Sequence, residues 1–190
     1  PRVRRQRQMC IRDSAIAALN ALPELATHML QSQDQLKYLA SLYFGCKDIF
    51  FIGRNVDWAI ALEGSLKLKE ISYIHSEAYA AGELKHGTIS LVEPGTLVVA
   101  LCTYGPLREK MVSNIREVKA RGAIVLALAE EGQPQVAEAA DHVVWLPKAD
   151  PLLAPSLAVI PLQLFAYYVA LLKGCDIDKP RNLAKSVTVE

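Results

Sequence analysis

The fold class follows from residues 48–53, which read Asp48-Ile49-Phe50-Phe51-Ile52-Gly53. A short apolar run that ends in glycine is typical of a strand buried on both faces of a parallel sheet. Three further runs of this kind lie at residues 96–102, 123–129 and 142–146. We therefore predict four strands of one buried parallel sheet.

Helical patterns occupy the segments outside these strands. Residues 22–42 are predicted to form one helix, with Pro23 near its start. Four more helices are predicted at residues 56–74, 107–120, 134–140 and 161–173. The alternation of strands and helices predicts an α/β fold in which helices cover both faces of the sheet.

The composition is that of one globular domain. The chain has 190 residues, of which 52% are hydrophobic and 22% are charged, and its net charge is +1. Residues 1–14 hold five arginines against one aspartate, a net charge of +4. This basic arm has no aromatic residue and no helical periodicity, so we interpret it as a linker remnant or an artefact of gene assembly. We expect no nucleic-acid partner.

The cysteines argue against a metal centre and against a disulfide framework. Cys10, Cys46, Cys102 and Cys175 are far apart, and none belongs to a Cys-x-x-Cys pair. Scattered cysteines of this kind are typical of a reducing compartment. No apolar leader segment follows the arginine-rich start, and we expect a cytoplasmic location.

One uncharged stretch is long enough to span a membrane. It covers residues 151–172, but Pro151, Pro155 and Pro161 interrupt it. The part that remains, residues 162–172, is too short for a span and is predicted to be a buried helix. We expect no membrane partner.

Three separate motifs carry a family resemblance. They are Ala-Leu-Glu-Gly-Ser-Leu-Lys-Leu-Lys-Glu-Ile-Ser-Tyr-Ile-His at residues 61–75, Ala-Ala-Gly-Glu-Leu-Lys-His-Gly at 80–87, and Pro-Arg-Asn-Leu-Ala-Lys-Ser-Val-Thr-Val-Glu at 180–190. In this order they resemble the sugar-isomerase half of the glutamine–fructose-6-phosphate aminotransferases, from about Ala15 to the end of the chain.

The resemblance implies a sugar-isomerase (SIS) domain, a three-layer α-β-α sandwich with a flavodoxin-like parallel sheet. We assign residues 1–14 to the basic arm and residues 15–190 to the second SIS repeat with its catalytic C-terminal tail. The glutaminase domain and the first SIS repeat of such enzymes are expected to be missing. The Ser/Thr-rich loop that holds sugar phosphate belongs to that first repeat, so we expect the chain alone to bind sugar phosphate weakly and turn over little.

Charged residues form a stripe on the helix predicted at residues 56–74. Glu63, Lys67 and Glu70 fall within about 60° of arc at 100° per residue. The pattern alone allows a surface ion pair worth about 0.3 kcal/mol. It also allows a partly buried acid–base cluster, whose apolar surroundings would raise carboxylate pKa values and lower that of the lysine. The resemblance favours the cluster.

The resemblance also implies roles for these residues. Glu70 would move a proton between C1 and C2 of an open-chain hexose phosphate, assisted by Lys67, with Glu63 as the partner of Lys67 beside the substrate. Lys185 would form a Schiff base with C2 of fructose 6-phosphate, and the backbone of Ala184 would contact the sugar. An amine reacts in this way only when it is neutral.

His86 would open the sugar ring, and the resemblance implies that the neighbouring subunit of a homodimer supplies it. His28, His75 and His142 have no such motif around them, and Arg181 is given no role. The resemblance implies no metal and no organic cofactor.

Two alternatives stay open, a related SIS-type sugar-phosphate deglycase and a non-catalytic sugar-phosphate-binding regulator. For any of these, ligands are expected at the carboxyl ends of the strands, where Gly53-Arg54-Asn55 precedes a helix.

Overall fold

The centre of the molecule is a sheet of five parallel strands. The computed structural model describes residues 2–183, with side chains described from residue 9 onward. The strands are β1 (Asp48–Gly53), β2 (His75–Ala80), β3 (Leu97–Cys102), β4 (Ile124–Glu130) and β5 (His142–Leu146). Their order across the sheet is β2-β1-β3-β4-β5, and every neighbouring pair is parallel. This is the flavodoxin-like order, so the predicted fold class is confirmed.

Six α-helices surround the sheet within the described part of the chain. They are α1 (Arg2–Leu30), α2 (Gln33–Tyr43), α3 (Val56–Ser72), α4 (Arg108–Lys119), α5 (Pro134–Ala139) and α6 (Ala154–Leu172). Short 3₁₀ segments cover Ala81–His86, Thr88–Leu91 and Gly105–Leu107.

Side chains alternate between the two faces of each strand, and this alternation builds two cores. In β1, Ile49 and Phe51 join the core beneath α2, α3 and α6. Phe50 and Ile52 join the opposite core, beneath α4 and α5. Because both faces of the sheet are covered, the central strands are apolar throughout, as the sequence pattern indicated.

Strand β2 was missed by the sequence analysis. It pairs with β1 alone, at the edge of the sheet, with Asp48 opposite His75 and Gly53 opposite Ala80. Most of its residues are only half-buried, so it lacks the apolar run that marked the other strands.

The N-terminal predictions were wrong in two respects. Residues 2–14 are helical and continue into α1, which runs through Pro23 to Leu30. Arginine, glutamine and methionine favour helix even without an apolar face. The single helix predicted at residues 22–42 is instead two helices, because the chain turns after Leu30 and the hydroxyl of Ser32 donates to the carbonyl of Met29.

Helix α6 begins seven residues earlier than predicted and continues through Pro161. Within the described residues it is the one helix long and apolar enough to cross a membrane. However, Leu157, Leu162, Phe165 and Val169 are buried in the core shared with α2 and α3. This packing makes α6 a core helix of the domain.

Candidate active site

The charged stripe on α3 forms a hydrogen-bonded cluster. The Lys67 Nζ atom lies 2.8 Å from Glu70 Oε2 and 3.8 Å from Glu63 Oε1. The side chains of Lys67 and Glu70 are 34% and 27% exposed. The structure thus brings together the three residues that the sequence placed on one face, in a partly buried setting.

The expected direction of the lysine pKa was wrong. The hydrogen bond from Lys67 to Glu70 raises the pKa of Lys67, and this effect outweighs the desolvation that acts to lower it. Lys67 is therefore an ammonium ion at neutral pH. It can donate a proton or a hydrogen bond to a ligand, but it cannot act as a base there.

Glu70 lines a cavity of about 640 Å³, whereas Lys67 and Glu63 are not among its lining residues. Glu70 and Tyr73 form one wall, residues 75–77 at the start of β2 form another, and residues 181–183 form a third. Its volume falls within the range of small-ligand sites. The cavity lies at the amino end of β2, so the expectation that a ligand would bind at the carboxyl ends of the strands is not met by this cavity.

The chain returns to this cavity from a distant part of the sequence. The backbone N–H of Arg181 donates to Tyr73 Oη at 2.9 Å, across 108 residues. The guanidinium carbon of Arg181 lies 4.1 Å from the centroid of the Tyr73 ring. Ala184 and Lys185, which the sequence analysis singled out, come directly after this segment and lie outside the described residues.

His86 is not part of the cavity that Glu70 lines. It ends the 3₁₀ segment after β2, and its side chain is 71% exposed with Nε2 3.9 Å from Glu83 Oε2. The cavity lies at the start of β2, whereas His86 comes six residues after the end of that strand and is not among the residues that line the cavity.

The carboxyl edge of the sheet is occupied by an internal carboxylate. The buried Asp57, in the first turn of α3, accepts hydrogen bonds from the backbone N–H groups of Thr103 and Tyr104 at 2.9 and 3.0 Å and from the Thr103 hydroxyl. Burial raises the pKa of Asp57, while these hydrogen bonds act to lower it. Arg54 also has an internal partner, because its Nε donates to Asn114 Oδ1 at 3.0 Å. At least one donor of Arg54 is thus engaged within the chain.

Sequence reasoning missed Tyr73 and Arg181. A signal was present, because α4 and α6 are followed by Gly122 and Gly174, whereas α3 has no glycine after its last turn. Tyr73 takes the left-handed conformation that such a glycine would supply. The side chain of a tyrosine in that position is expected to make specific contacts, and here it contacts Arg181.

Comparisons with known proteins identify the family and support the fold. Residues 42–173 match the SIS domain family. The chain is 57% identical over 175 residues to a glutamine–fructose-6-phosphate aminotransferase [isomerizing] from Caldanaerobacter subterraneus subsp. tengcongensis, a match that covers 92% of this chain. The chain spans only 29% of the length of that relative.

Two solved structures share the fold. The C-terminal domain of glucosamine-fructose-6-phosphate aminotransferase from Francisella tularensis superposes with a TM-score of 0.80 at 36% identity, covering 85% of this chain and 45% of that one. Glucosamine-6-phosphate deaminase from Thermotoga maritima superposes with a TM-score of 0.66 at 26% identity, covering 91% of this chain and 49% of that one.

Proposed function

The chain belongs to the SIS domain family, and we propose that it is the second isomerase repeat of a glucosamine-6-phosphate synthase. Such an enzyme converts L-glutamine and D-fructose 6-phosphate into L-glutamate and D-glucosamine 6-phosphate, which starts amino-sugar synthesis. The glutaminase domain and the first SIS repeat would be supplied by other parts of the enzyme.

One observation carries the proposal. The Glu70–Lys67 pair adjoins a cavity that residues 181–183 help to enclose, immediately before Ala184 and Lys185 in the sequence. A ketose-to-amino-aldose conversion needs an acid–base pair and a lysine amine, and the sequence supplies the lysine two residues after the cavity-lining Leu183.

In the proposed mechanism Lys185 reacts first. Its neutral amine adds to the C2 carbonyl of open-chain fructose 6-phosphate, and loss of water leaves a Schiff base. After ammonia has replaced the lysine at C2, Glu70 takes a proton from C1 and returns it to C2, while the hydroxyl proton on O1 moves to the nitrogen at C2, which leaves the aldehyde and the amine. Within the described residues, Lys67 bonds to Oε2 of Glu70 alone, which leaves Oε1 for this transfer.

The remaining residues of the cluster support this transfer. As an ammonium ion, Lys67 donates a hydrogen bond to O1 of the sugar, which gains negative charge as its hydroxyl proton leaves and the aldehyde forms. Glu63 holds Lys67 from the other side at 3.8 Å and borders the substrate, and the backbone of Ala184 contacts the sugar.

His86 opens the ring of the sugar bound by a neighbouring subunit, so the active unit is at least a homodimer. Its exposure and its absence from the lining of the cavity that Glu70 borders support this role. The proposed chemistry needs no metal and no organic cofactor. We place the protein in the cytoplasm, which fits its four free cysteines.

The test uses a hybrid enzyme in which this full chain replaces the aligned 175 residues of the Caldanaerobacter relative. We expect the hybrid to form glucosamine 6-phosphate, and Lys185→Ala and Glu70→Gln each to lower kcat by at least about 10²-fold. Glu138→Gln, at an exposed carboxylate of α5, serves as the matched control and should retain kcat within about threefold. Wild-type rates in both site variants would overturn the proposal and favour a non-catalytic regulator.

A second candidate is a sugar-phosphate deglycase. The likeness to the Thermotoga deaminase structure favours it, at 26% identity and a TM-score of 0.66. The two candidates differ in direction, because a deglycase releases ammonia from glucosamine 6-phosphate without glutamine. The deglycase is favoured if the hybrid, without glutamine, releases ammonia from glucosamine 6-phosphate faster than it makes glucosamine 6-phosphate when glutamine is supplied.

A further inference from the structure

Tyr73 has a backbone conformation that is unusual for a bulky residue. It follows the last residue of α3 with φ 60° and ψ 17°, in the left-handed region. Where a helix ends in a left-handed residue, that residue is usually glycine, because a Cβ atom is sterically unfavourable in this conformation. A bulky residue persists in this region when other interactions hold it, and such residues concentrate at functional sites.

The interactions of Tyr73 are with Arg181. Its hydroxyl accepts the backbone N–H of Arg181 at 2.9 Å, and its ring lies beneath the guanidinium group at 4.1 Å. A cation over an aromatic face is attracted by the quadrupole of the ring. The two contacts use different parts of Arg181, so together they fix both the path of the chain and the direction of the side chain.

This anchor lies on the wall of the proposed active site. Tyr73, Arg181 and Glu70 all line the same cavity. Lys185 follows Arg181 by four residues, a length of chain that reaches at most about 14 Å. Fixing Arg181 beside the cavity therefore fixes the point from which the chain leads on to Lys185.

We propose that Tyr73 is a positioning residue: by holding Arg181, it keeps the C-terminal segment where Lys185 can react with C2 of the sugar bound beside Glu70. The inference rests on the proposed function. Its physical basis is effective concentration, because a tether that begins at a fixed point beside the substrate replaces a search through solvent. Because the backbone of Tyr73 is left-handed, its ring points toward the segment that contains Arg181.

The test compares Tyr73→Asn with Tyr73→Phe in the hybrid enzyme. Asparagine tolerates the left-handed conformation but removes the ring and the hydroxyl, whereas phenylalanine removes the hydroxyl alone. Fructose 6-phosphate is added, the Schiff base is reduced with borohydride at timed intervals, and the adduct at Lys185 is quantified by peptide mapping. Rates are measured at saturating and at limiting sugar, and Tm is measured for each variant.

We expect Tyr73→Asn to lower the trapping rate at saturating sugar by about tenfold or more, while Tm stays within about 3 °C of wild type. Tyr73→Phe should retain an intermediate rate. A purely structural tyrosine would show the reverse, a lower Tm with an unchanged rate at saturating sugar. Tyr38→Asn, at an exposed tyrosine on α2, is the matched control and should leave the rate unchanged.

Arg181→Met tests the same anchor without altering α3. It should slow trapping as Tyr73→Asn does, and the double variant should be no slower than the slower single variant. Wild-type trapping rates in both Arg181→Met and Tyr73→Asn would overturn the inference. Absence of any adduct at Lys185 in the unsubstituted hybrid would overturn the proposed function, and this inference with it.

Discussion

The ion pair between Glu70 and Lys67 divides the acid and base roles within one turn of α3. The short contact of 2.8 Å raises the pKa of Lys67, so the lysine keeps its proton at neutral pH. Among the residues that the structure describes, Lys67 bonds to only one carboxylate oxygen of Glu70, and Glu70 lines the cavity. The pair therefore supplies one donor and one base at adjacent positions.

We predict that Glu70→Gln separates Schiff-base formation from proton transfer. Glutamine can still accept a hydrogen bond from Lys67 but cannot act as a base. In the hybrid enzyme, exchange of the C1 proton of fructose 6-phosphate with deuterated solvent should fall by about 10²–10⁴-fold. The adduct at Lys185 should still form within about threefold of the wild-type rate. Exchange at the wild-type rate would show that another group is the base.

Asn55 is a second residue under backbone strain. Its φ of 56° and ψ of −126° lie in a region that side chains disfavour. We predict that Asn55→Gly raises the free energy of unfolding by about 1 kcal/mol, which corresponds to a Tm increase of about 2–4 °C. Asn55→Ala is the control, because alanine gains nothing at positive φ. Thermal unfolding distinguishes the cases, and equal Tm values for the two variants would contradict the explanation.

At the scale of the elements, the sequence predicted what burial on both faces makes visible. The central strands β1, β3 and β4 were predicted within one residue of their observed bounds, because the residues of a central strand face apolar layers on both sides. Strand β5 lies at an edge but was predicted at its observed bounds, because it has an apolar run of its own. Strand β2 was missed because an edge strand needs no such run. The residues of α1 before Ser14 were missed because an exposed helix can form without an apolar face.

The candidate site was predictable in part for a related reason. Helical spacing alone placed Glu63, Lys67 and Glu70 on one stripe. The cavity beside Glu70 was not predictable from spacing, because its third wall comes from residues 181–183, and the Tyr73–Arg181 contact that joins them spans 108 residues. The predicted direction of the Lys67 pKa shift was wrong for the same reason, since the geometry of one hydrogen bond decides that direction.

Asp141 joins three elements, which are the end of α4, strand β4 and the start of β5. It accepts from Lys119 Nζ at 2.7 Å and from the backbone N–H of Val125 at 2.8 Å. Burial acts to raise the pKa of Asp141, but these hydrogen bonds outweigh it, and the pKa is lowered. A lowered carboxylate pKa contributes stability that is present above the unfolded value, about 3.9, and is lost as pH falls through the folded value.

We therefore predict that Asp141→Asn destabilises the protein more at pH 6 than at pH 3. Urea unfolding at the two pH values measures the difference in the free energy of unfolding. Asp34→Asn, on the exposed side of α2, controls for the loss of a surface carboxylate. If Asp141→Asn lowers the free energy of unfolding by the same amount at pH 3 and at pH 6, the assigned role of the hydrogen bonds is contradicted.

At the scale of the whole molecule, His86 does not line the cavity that Glu70 lines. Glu70 borders a cavity at the amino end of β2, and His86 lies in the 3₁₀ segment after that strand. One chain thus offers the proton-transfer pair beside the cavity and an exposed histidine outside it. A symmetric dimer would complete two sites if each histidine served the opposite subunit.

We predict that two inactive variants of the hybrid enzyme complement each other. His86→Ala and Lys185→Ala each remove one partner from every site in their own dimers. After subunit exchange, half of the dimers contain both variants, and each of these has one intact site. Activity should recover to about a quarter of the wild-type value. No recovery after demonstrated exchange would place His86 and Lys185 in the site of a single subunit.

The most direct test of the central claim is to trap the Schiff base chemically in the hybrid enzyme. Fructose 6-phosphate and borohydride are added together, and the adduct is located by intact mass and peptide mapping, with Lys185→Arg treated in parallel. Arginine keeps the charge but cannot form the Schiff base. We predict one sugar-phosphate adduct per chain, located at Lys185 and absent from Lys185→Arg. An adduct at another lysine, or none in a hybrid that makes glucosamine 6-phosphate, would contradict the claim that this segment carries the reacting amine.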